Sequence, residues 1–423
     1  MKALVDSNIA HRRTQRVPRL PHQCRGGSLY ATLERYMSSS ARGFSAQFWA
    51  LVSATFLGFL GIGTVLPLLA PHIRYDLGGS DQDIGLVIGI FSFVALLGRL
   101  ISGPLADRRG RKISFLAGLV CCALAGGVYL LPLGMAGLYL ARVFQGLGEA
   151  CLYTGAAAWV VELAGIERSA QALGYLSSGI WGGISAGPAV GQWLGSFQHA
   201  AIMQVAAAAV AFVILTRVRE DYHPEPHPAN RKWLPRSILA PGIAIGFVNV
   251  QYPVIAGFLI LHLKSNGNSG PMAFSAYAGM ILLSRFFLGG LPDRIEPFIT
   301  YFGGLVFMAA GLLVLAAGPG PVVAIGATAL LGFGFSFPWS SIAATVLRRT
   351  PSGERGSAVS MLSAFYDLFV GISSFAAGWV AHQFGYSAAF IMAAVALIAA
   401  AIAGRFVFFA RVESRVEALA AKG

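Results

Sequence analysis

The stretch RLISGPLADR at residues 99–108 returns as RFFLGGLPDR at residues 285–294, with Arg, Gly, Leu, Asp and Arg in step. Two further pairs follow in the same order and at nearly the same offset: QGLGEA (145–150) with LGFGFS (331–336), and ERSAQA (167–172) with ERGSAV (354–359). Ordered matches at one offset indicate an internal repeat. The sequence therefore predicts two homologous halves that follow each other along the chain.

The composition is typical of a membrane protein. Of 423 residues, 56% are hydrophobic and only 12% are charged, and the mean hydropathy is +0.66. A soluble protein would carry about twice that share of charge, and the apolar residues form runs of about 20, long enough to cross ~30 Å of hydrocarbon. We predict an all-α integral membrane protein with two six-helix bundles. Its twelve transmembrane segments are 47–71, 83–103, 113–132, 137–163, 170–194, 198–216, 239–262, 272–291, 297–317, 322–347, 357–382 and 387–410.

The basic residues are concentrated in alternate loops. If the N-terminus and every even-numbered loop lie on one side, that side holds 26 of the 31 Lys and Arg residues, and the opposite side holds two. Because positively charged loops stay in the cytoplasm, we expect both termini to be cytoplasmic and the membrane to be a bacterial inner membrane. This placement accounts for the net charge of +13 without a nucleic-acid partner.

Five parts are expected along the chain. They are a basic, disordered cytoplasmic tail at 1–45, a first bundle at 46–216, a central cytoplasmic loop at 217–236, a second bundle at 237–411 and a cytoplasmic tail at 412–423. The central loop holds His223 and His227 at a spacing known from metal sites, but the prolines around them prevent a helix. We predict no metal and no cofactor. There is also no G-x-x-x-x-G-K-[ST] phosphate loop, so we do not expect an ATPase. Since the membrane segments hold no dense cluster of His, Cys or paired acids, we do not expect another enzyme either.

The segment GPLADRRGRK at residues 103–112 joins the second and third helices. Asp107 is placed to accept hydrogen bonds from the N-terminal amides of the third helix. The basic residues are placed to pair with Glu162, at the cytoplasmic end of the fourth helix. We interpret the segment as a latch that holds one conformational state closed. The predicted gating residues are Gly103, Asp107, Arg108, Gly110, Arg111, Lys112 and Glu162, with Asp293 and Arg294 in the second half.

The spacing G-x-L-x-D-R-x-G-R-K at residues 103–112 resembles the signature of the major facilitator superfamily between helices 2 and 3. The resemblance covers residues 45–411 and extends to bacterial drug-efflux and sugar-efflux permeases. It implies the twelve-helix fold of that family and a degenerate copy of the signature between helices 8 and 9. That copy, at 289–294, lacks the second glycine and the basic end, so we expect a weaker latch in the second half.

Helix 4 carries Arg142, Gln145, Gly146 and Glu149 at spacings that place them on one face. An arginine and a glutamate inside hydrocarbon are costly unless they pair or face water. The pattern R-x-x-Q-G-x-G resembles the helix 4 motif of the same family, which implies a role for Arg142 in proton coupling or substrate contact. We expect Glu149 to exchange a proton, with Arg142 favouring its charged form. A fixed structural ion pair is the alternative.

Asp367 is a lone carboxylate inside the eleventh segment, with no Lys or Arg within one helical turn. An isolated carboxylate within a membrane segment indicates a functional site. We predict that Asp367 exchanges a proton or binds a cationic group. The alternative is a neutral Asp that is hydrogen-bonded to a neighbouring Ser or Tyr.

Small residues recur in the fifth segment as Gly183, Gly187, Pro188 and Gly191. They resemble the antiporter motif G-x-x-x-G-P-x-x-G-G and depart from it at Gln192. The motif is associated with exporters, so the resemblance favours efflux. The alternative is close helix packing through small residues.

Polar and aromatic residues near the middle of several segments are candidates for a substrate cavity between the halves. We predict a secondary transporter that works by alternating access and exports a small organic molecule in exchange for protons. Import of a nutrient or vitamin and a membrane sensor that does not transport are the alternatives. The expected partners are the lipid bilayer, a small-molecule substrate and protons, with a functional monomer. The candidate cavity residues are Gln145, Tyr153, Asn249, Gln251, Tyr252, Trp339 and Tyr366.

Overall fold

A computed structural model describes residues 44–165, 168–220, 236–265, 270–288, 295–350 and 355–409. All regular structure in these ranges is helical. In the first half the helices are α1 (Ala46–Pro71, continued by a π-helical turn His72–Asp76), α2 (Asp81–Arg109), α3 (Arg111–Tyr129), α4 (Gly134–Ala164), α5 (Ser169–Leu194) and α6 (Phe197–Thr216). In the second half they are α7a (Arg236–Asn249), α7b (Gln251–Ser265), α8 (Gly270–Leu288), α9 (Pro297–Ala316), α10a (Pro321–Phe335), α10b (Pro338–Arg349), α11 (Arg355–Phe384) and α12 (Tyr386–Phe408).

The twelve-helix prediction is confirmed, with α7 and α10 each built from two pieces. Ten spans in the described ranges are long and apolar enough to cross a membrane on length and composition alone. The other two helices are α4 and α5. α4 contains Arg142, Gln145 and Glu149, and α5 is rich in Gly and Ser. These charged, polar and small residues lower the mean hydropathy of both helices.

The segment at 103–112 is mainly helix and only briefly a loop. α2 continues through Pro104 as far as Arg109, and Gly110 separates it from α3 with φ of 105°. Gly103, Asp107 and Arg108 therefore lie on the last two turns of α2. Pro104 has no N–H to donate to the carbonyl of Leu100, so one intrahelical hydrogen bond is missing at this point.

Two helices of the second half are interrupted near their middle. α7a ends at Asn249 and α7b begins at Gln251. Pro253 has no N–H to donate to the carbonyl of Asn249, which accounts for the break. α10a ends at Phe335, and α10b begins with Pro338 as its first residue. Interrupted membrane helices occur where backbone lines a cavity.

The two halves meet closely at the end of the bundle that carries the α1–α2 and α11–α12 connections, named here the distal end. A Cβ atom at Gly85 of α2 would lie 2.5 Å from the carbonyl oxygen of Ser374 on α11. Tyr386 donates a hydrogen bond to Asp81 at 3.1 Å, and Ser275 donates to Gln192 at 3.0 Å. α2 with α11, and α5 with α8, are therefore in contact at this end.

Several predictions lie outside the described residues. These are nearly all of the two tails and of the central loop, the His223 and His227 pair, and Asp293 and Arg294 of the second-half gating copy.

Candidate functional site

Three charged side chains from three helices form a triad between the halves. Arg99 of α2 donates from Nε to Asp367 Oδ2 of α11 at 2.7 Å, and its Nη2 lies 3.3 Å from Glu149 Oε1 of α4. The side chains are only 10%, 6% and 12% exposed, for Arg99, Asp367 and Glu149 respectively. The guanidinium also lies over the ring of Tyr153, 4.6 Å from its centroid. Arg99 and Glu149 belong to the first half and Asp367 to the second, so the Arg99–Asp367 contact joins the halves.

The expected pairing of Arg142 with Glu149 is not found. Arg142 instead donates from Nε to the carbonyl of Val87 at 3.0 Å and from Nη1 to Gln145 at 2.6 Å. No carboxylate contacts it within the described ranges. The reason is geometric, because seven residues of helix separate Arg142 from Glu149 by about 10 Å along the axis. Arg99 of the adjacent helix α2 lies at the level of Glu149 and pairs with it instead of Arg142.

A buried amide network surrounds Arg142. Tyr129 donates to Gln145 Oε1 at 3.0 Å, Gln145 donates to Gln204 at 3.2 Å, and Gln204 donates to the carbonyl of Cys122 at 2.9 Å. The network ties α3, α4 and α6 together within the first half. Gln145, predicted to line the substrate cavity, is fully buried in this network.

A small cavity lies between α5 of the first half and helices of the second half. Its lining residues are Trp181, Ile245, Val248, Asn249, Arg285, Phe335, Trp339 and Tyr366. Of the predicted cavity residues, Asn249, Trp339 and Tyr366 are in this lining. It has room for roughly one water molecule, so a larger molecule could enter only if the surrounding helices moved apart.

The helix breaks place polar groups at the cavity wall. Asn249 ends α7a, and its Nδ2 donates back to the carbonyl of Ile245 at 2.7 Å. This bond fixes the amide orientation, because only the nitrogen can donate to a carbonyl. The other side-chain atom, Oδ1, is buried and has no hydrogen-bond partner in the described structure. The cavity therefore presents an unused acceptor.

The remaining predicted cavity residues lie around these two sites. Gln251 is fully buried and donates to the hydroxyl of Tyr277 at 3.0 Å. The ring of Tyr252 lies 6.4 Å from that of Tyr366. Tyr153 belongs to the triad and lies 3.4 Å from Ser363 of α11.

The predicted gating residues of the first half lie where α2, α4 and α6 end and α3 begins. Arg111 contacts Glu162 of α4, which is the pairing expected from the sequence. The first two amides of α3, however, are bound by Glu220. Glu220 accepts from the amides of Arg111 at 2.5 Å and Lys112 at 3.1 Å. Asp107 is still within α2, whereas Glu220 follows α6, which packs beside α3.

Gly110 leaves the space that Glu220 occupies. A Cβ atom there would lie 2.7 Å from Glu220 Oε2, and the φ of 105° also disfavours any other residue. Lys112 Nζ also binds the end of α6 and donates to the carbonyls of Thr216 and Val218 at 3.1 and 2.6 Å. The α2–α3 turn is thus fastened to the end of α6.

We expect Glu220→Ala to lower the free energy of unfolding by about 1–2 kcal/mol, because the amides of Arg111 and Lys112 lose an anionic acceptor at a helix N-terminus. Glu220→Gln is the matched control, since its amide oxygen still accepts, and it should lose less. Thermal unfolding of the full chain in detergent measures both. Equal midpoints for wild type and Glu220→Ala would contradict the assigned contact.

The glycines of the predicted antiporter motif face α1. A Cβ atom at Gly183 would lie 2.5 Å from the carbonyl oxygen of Phe56, and one at Gly187 would lie 2.5 Å from Gly63. Gly191 is in contact with Thr64, and Pro188 lies inside α5. These small residues, Gly183 to Gly191, form a stripe along α5. In this conformation, the α5 stripe permits the close packing of α1 and α5.

The sequence analysis assigned no role to two arginines of these sites, Arg99 and Arg285. They entered it only as matching positions of the internal repeat. A rule that treats every charge inside a span as a site would have found them. Their partners are not recoverable in this way, because Arg99 is 50 residues from Glu149 and 268 from Asp367.

A family model described as Major Facilitator Superfamily matches residues 51–265 and 238–423. One similar relative is an uncharacterized MFS-type transporter of Burkholderia mallei (strain SAVP1), which is 28% identical over 379 residues, or 85% of this chain and 91% of the relative. Another is an uncharacterized MFS-type transporter of Salmonella typhimurium (strain LT2), 28% identical over 374 residues, or 85% and 96% of the two chains.

Solved structures with the same fold include the nucleoside transporter NupG, with a TM-score of 0.69 and 14% identity over 86% of this chain and 100% of NupG. A D-xylose-proton symporter matches with a TM-score of 0.70 and 14% identity over 86% of this chain and 98% of the symporter. At this identity the likeness concerns the fold alone.

Proposed function

The chain belongs to the major facilitator superfamily and is a secondary transporter, and we propose that a proton gradient drives its transport of a small organic molecule. The observation that carries this proposal is the triad of Arg99, Glu149 and Asp367. Protons are the coupling ion best suited to it, because both anionic members are carboxylates that can bind one.

The charges of the triad favour one bound proton. Two carboxylates share one guanidinium, so the fully ionised group carries a net charge of −1 in a nearly dry place. A buried, uncompensated charge is costly. One proton on either carboxylate makes the triad neutral.

The position of the triad lets a proton alter the contact between the halves. Arg99 and Asp367 form the 2.7 Å contact that joins α2 to α11. Protonation of Asp367 removes the charge attraction and leaves a weaker hydrogen bond. The proton thereby favours separation of α2 from α11, which is the motion that alternating access needs.

We infer export as the direction, supported by the resemblance of the α5 stripe at Gly183–Gly191 to the antiporter motif. In an exporter, proton and substrate are bound in alternation and move oppositely. Import together with a proton is the second candidate, favoured by the fold shared with the D-xylose-proton symporter.

We further propose a bacterial inner membrane with cytoplasmic termini, supported by the 26 to two distribution of basic residues. A functional monomer is supported by the triad and the cavity, which are each formed by residues of a single chain.

The test uses the full chain in everted membrane vesicles, in which the lumen corresponds to the cell exterior and is acidified by respiration. Sugars, drugs, flavins and aromatic metabolites are screened for accumulation. An exporter accumulates its substrate in these vesicles, and a protonophore abolishes the accumulation. Accumulation only in right-side-out vesicles with an acidic exterior would show import. Transport that is indifferent to the protonophore in both preparations would refute proton coupling.

A further inference from the structure

Arg285 of α8 is a charged side chain without a counter-charge. It makes no hydrogen bond and no ion pair with any residue that the structure describes, and its Nε is buried without a partner. Its guanidinium lies over the ring of Trp181, 3.9 Å from the centroid. A cation–π contact offsets only part of the cost of removing a guanidinium from water. The site therefore lacks an anion.

The internal repeat shows what is missing. Arg285 corresponds to Arg99, and at the same offset of 186 residues Glu149 corresponds to Phe335 and Tyr153 to Trp339. Phe335 and Trp339 line the cavity together with Arg285. The second half has thus kept the arginine and the aromatic neighbour but has an apolar ring in place of the carboxylate.

The neighbour from the opposite half differs in the same way. Asp367 of α11 reaches Arg99, whereas α5, the equivalent helix of the first half, brings Trp181 to Arg285. One arginine is therefore bound by two carboxylates and the other is faced by aromatic rings. The first is neutralised by the protein itself, and the second is left for a ligand.

Arg142 also lies inside a membrane segment and contacts no carboxylate among the described residues, but it does not share this feature. Its donors are used by the carbonyl of Val87 and by Gln145, and it is not among the residues of the cavity wall. It acts as a structural link, while Arg285 is both unpaired and at the cavity.

The cavity offers a second unused group. Asn249 Oδ1 is a buried acceptor without a donor, on the same cavity wall as Arg285. Around the two lie the rings of Trp181, Phe335 and Trp339. The wall is complementary to a molecule with an oxyanion, a hydrogen-bond donor and a flat apolar body.

We propose that this cavity is the substrate site and that the substrate is an organic anion, a flat or aromatic molecule that carries an oxyanion and a hydroxyl or amino donor. The oxyanion binds Arg285, the donor binds Asn249 and the flat part lies among the aromatic rings. This inference deepens the proposed function and rests on it for the step of transport, but binding itself needs no proton gradient.

The probe is 4-hydroxybenzoate, which carries a carboxylate, a ring and a hydroxyl group. It is titrated by calorimetry into the full chain in lipid nanodiscs and compared with 4-hydroxybenzamide, the neutral molecule of nearly the same shape. We expect the acid to bind about 10- to 100-fold more tightly, as a charged hydrogen-bonded contact warrants. Phenyl phosphate, used in parallel, shows whether the oxyanion is a phosphate rather than a carboxylate.

Two variants locate the site. Arg285→Gln removes the charge and should abolish the preference for the acid. Phe335→Glu restores the carboxylate that the first half has, so Arg285 becomes paired within the protein and the acid should again lose its advantage. Arg217→Gln, at the exposed end of α6, is the matched control and should bind as wild type does.

Failure of the anion site and failure of proton coupling give different results. Binding of the acid and of the amide is measured without a pH gradient, so a transport assay that shows no proton coupling would leave this comparison unchanged. Equal binding of acid and amide, unchanged binding in Arg285→Gln, or no binding of any of the acids up to about 10 mM would each overturn the anion site. None of these results bears on the triad.

Discussion

Asp367→Asn and Glu149→Gln should each abolish gradient-driven accumulation of substrate while still permitting its exchange across the membrane. Each change replaces an ionisable group of the triad by an amide that keeps the shape and can hydrogen-bond to its surroundings. The protein can then change conformation without taking up or releasing a proton. With one proton per cycle, a gradient of one pH unit supports about tenfold accumulation, and this ratio should fall to about one.

The measurement is uptake into proteoliposomes with and without a pH gradient, beside exchange of labelled for unlabelled substrate. Asp76→Asn is the matched control, because Asp76 is an exposed carboxylate whose ion pair within the described residues is with His72, and it should leave coupling intact. Gradient-driven uptake at the normal rate in the double variant Glu149→Gln/Asp367→Asn would eliminate the triad as the coupling site.

Gly187→Leu should strongly destabilise the protein and lower the yield of folded protein. A Cβ atom at this position would lie 2.5 Å from the carbonyl carbon of Gly63 and 2.6 Å from its Cα. The obstacle is backbone, which cannot move aside as a side chain can, so α1 and α5 have to separate. We expect the free energy of unfolding to fall by about 3 kcal/mol or more, at the upper end of overpacking effects.

Gly174→Leu provides the comparison within the same helix. A Cβ atom at Gly174 meets nothing within 4 Å, so this variant should unfold close to the wild-type temperature. The yield of monodisperse protein after detergent extraction and the thermal midpoint measure both variants. Equal stability of the two leucine variants would show that the α1–α5 contact is not as close as described.

The sequence predicts the fold well because the bilayer imposes strict rules. Apolar runs of about 20 residues and alternating basic loops are sufficient for twelve helices, and the glycines at 183, 187 and 191 indicate a close helix contact. The two lone carboxylates, Glu149 and Asp367, were also found, since charge inside hydrocarbon is conspicuous in a sequence.

The partners of these charges were beyond such reasoning. Arg142 was chosen for Glu149 because it shares a helix, whereas the structure supplies Arg99 from a neighbouring one. Asp107 was likewise assigned to the amides of α3, which bind Glu220, 109 residues away from Arg111. In both cases the choice is made by packing between helices that are distant in sequence.

The depth of the triad has an electrical consequence. Glu149 and Asp367 lie near the middle of α4 and α11, so the coupling proton that we propose for them would cross about half of the membrane voltage to reach them. A full crossing is worth ~2.3 kcal/mol per 100 mV, and half of it equals nearly one pH unit in its effect on proton occupancy. A cell with equal pH on both sides could therefore still load this site through its membrane potential alone.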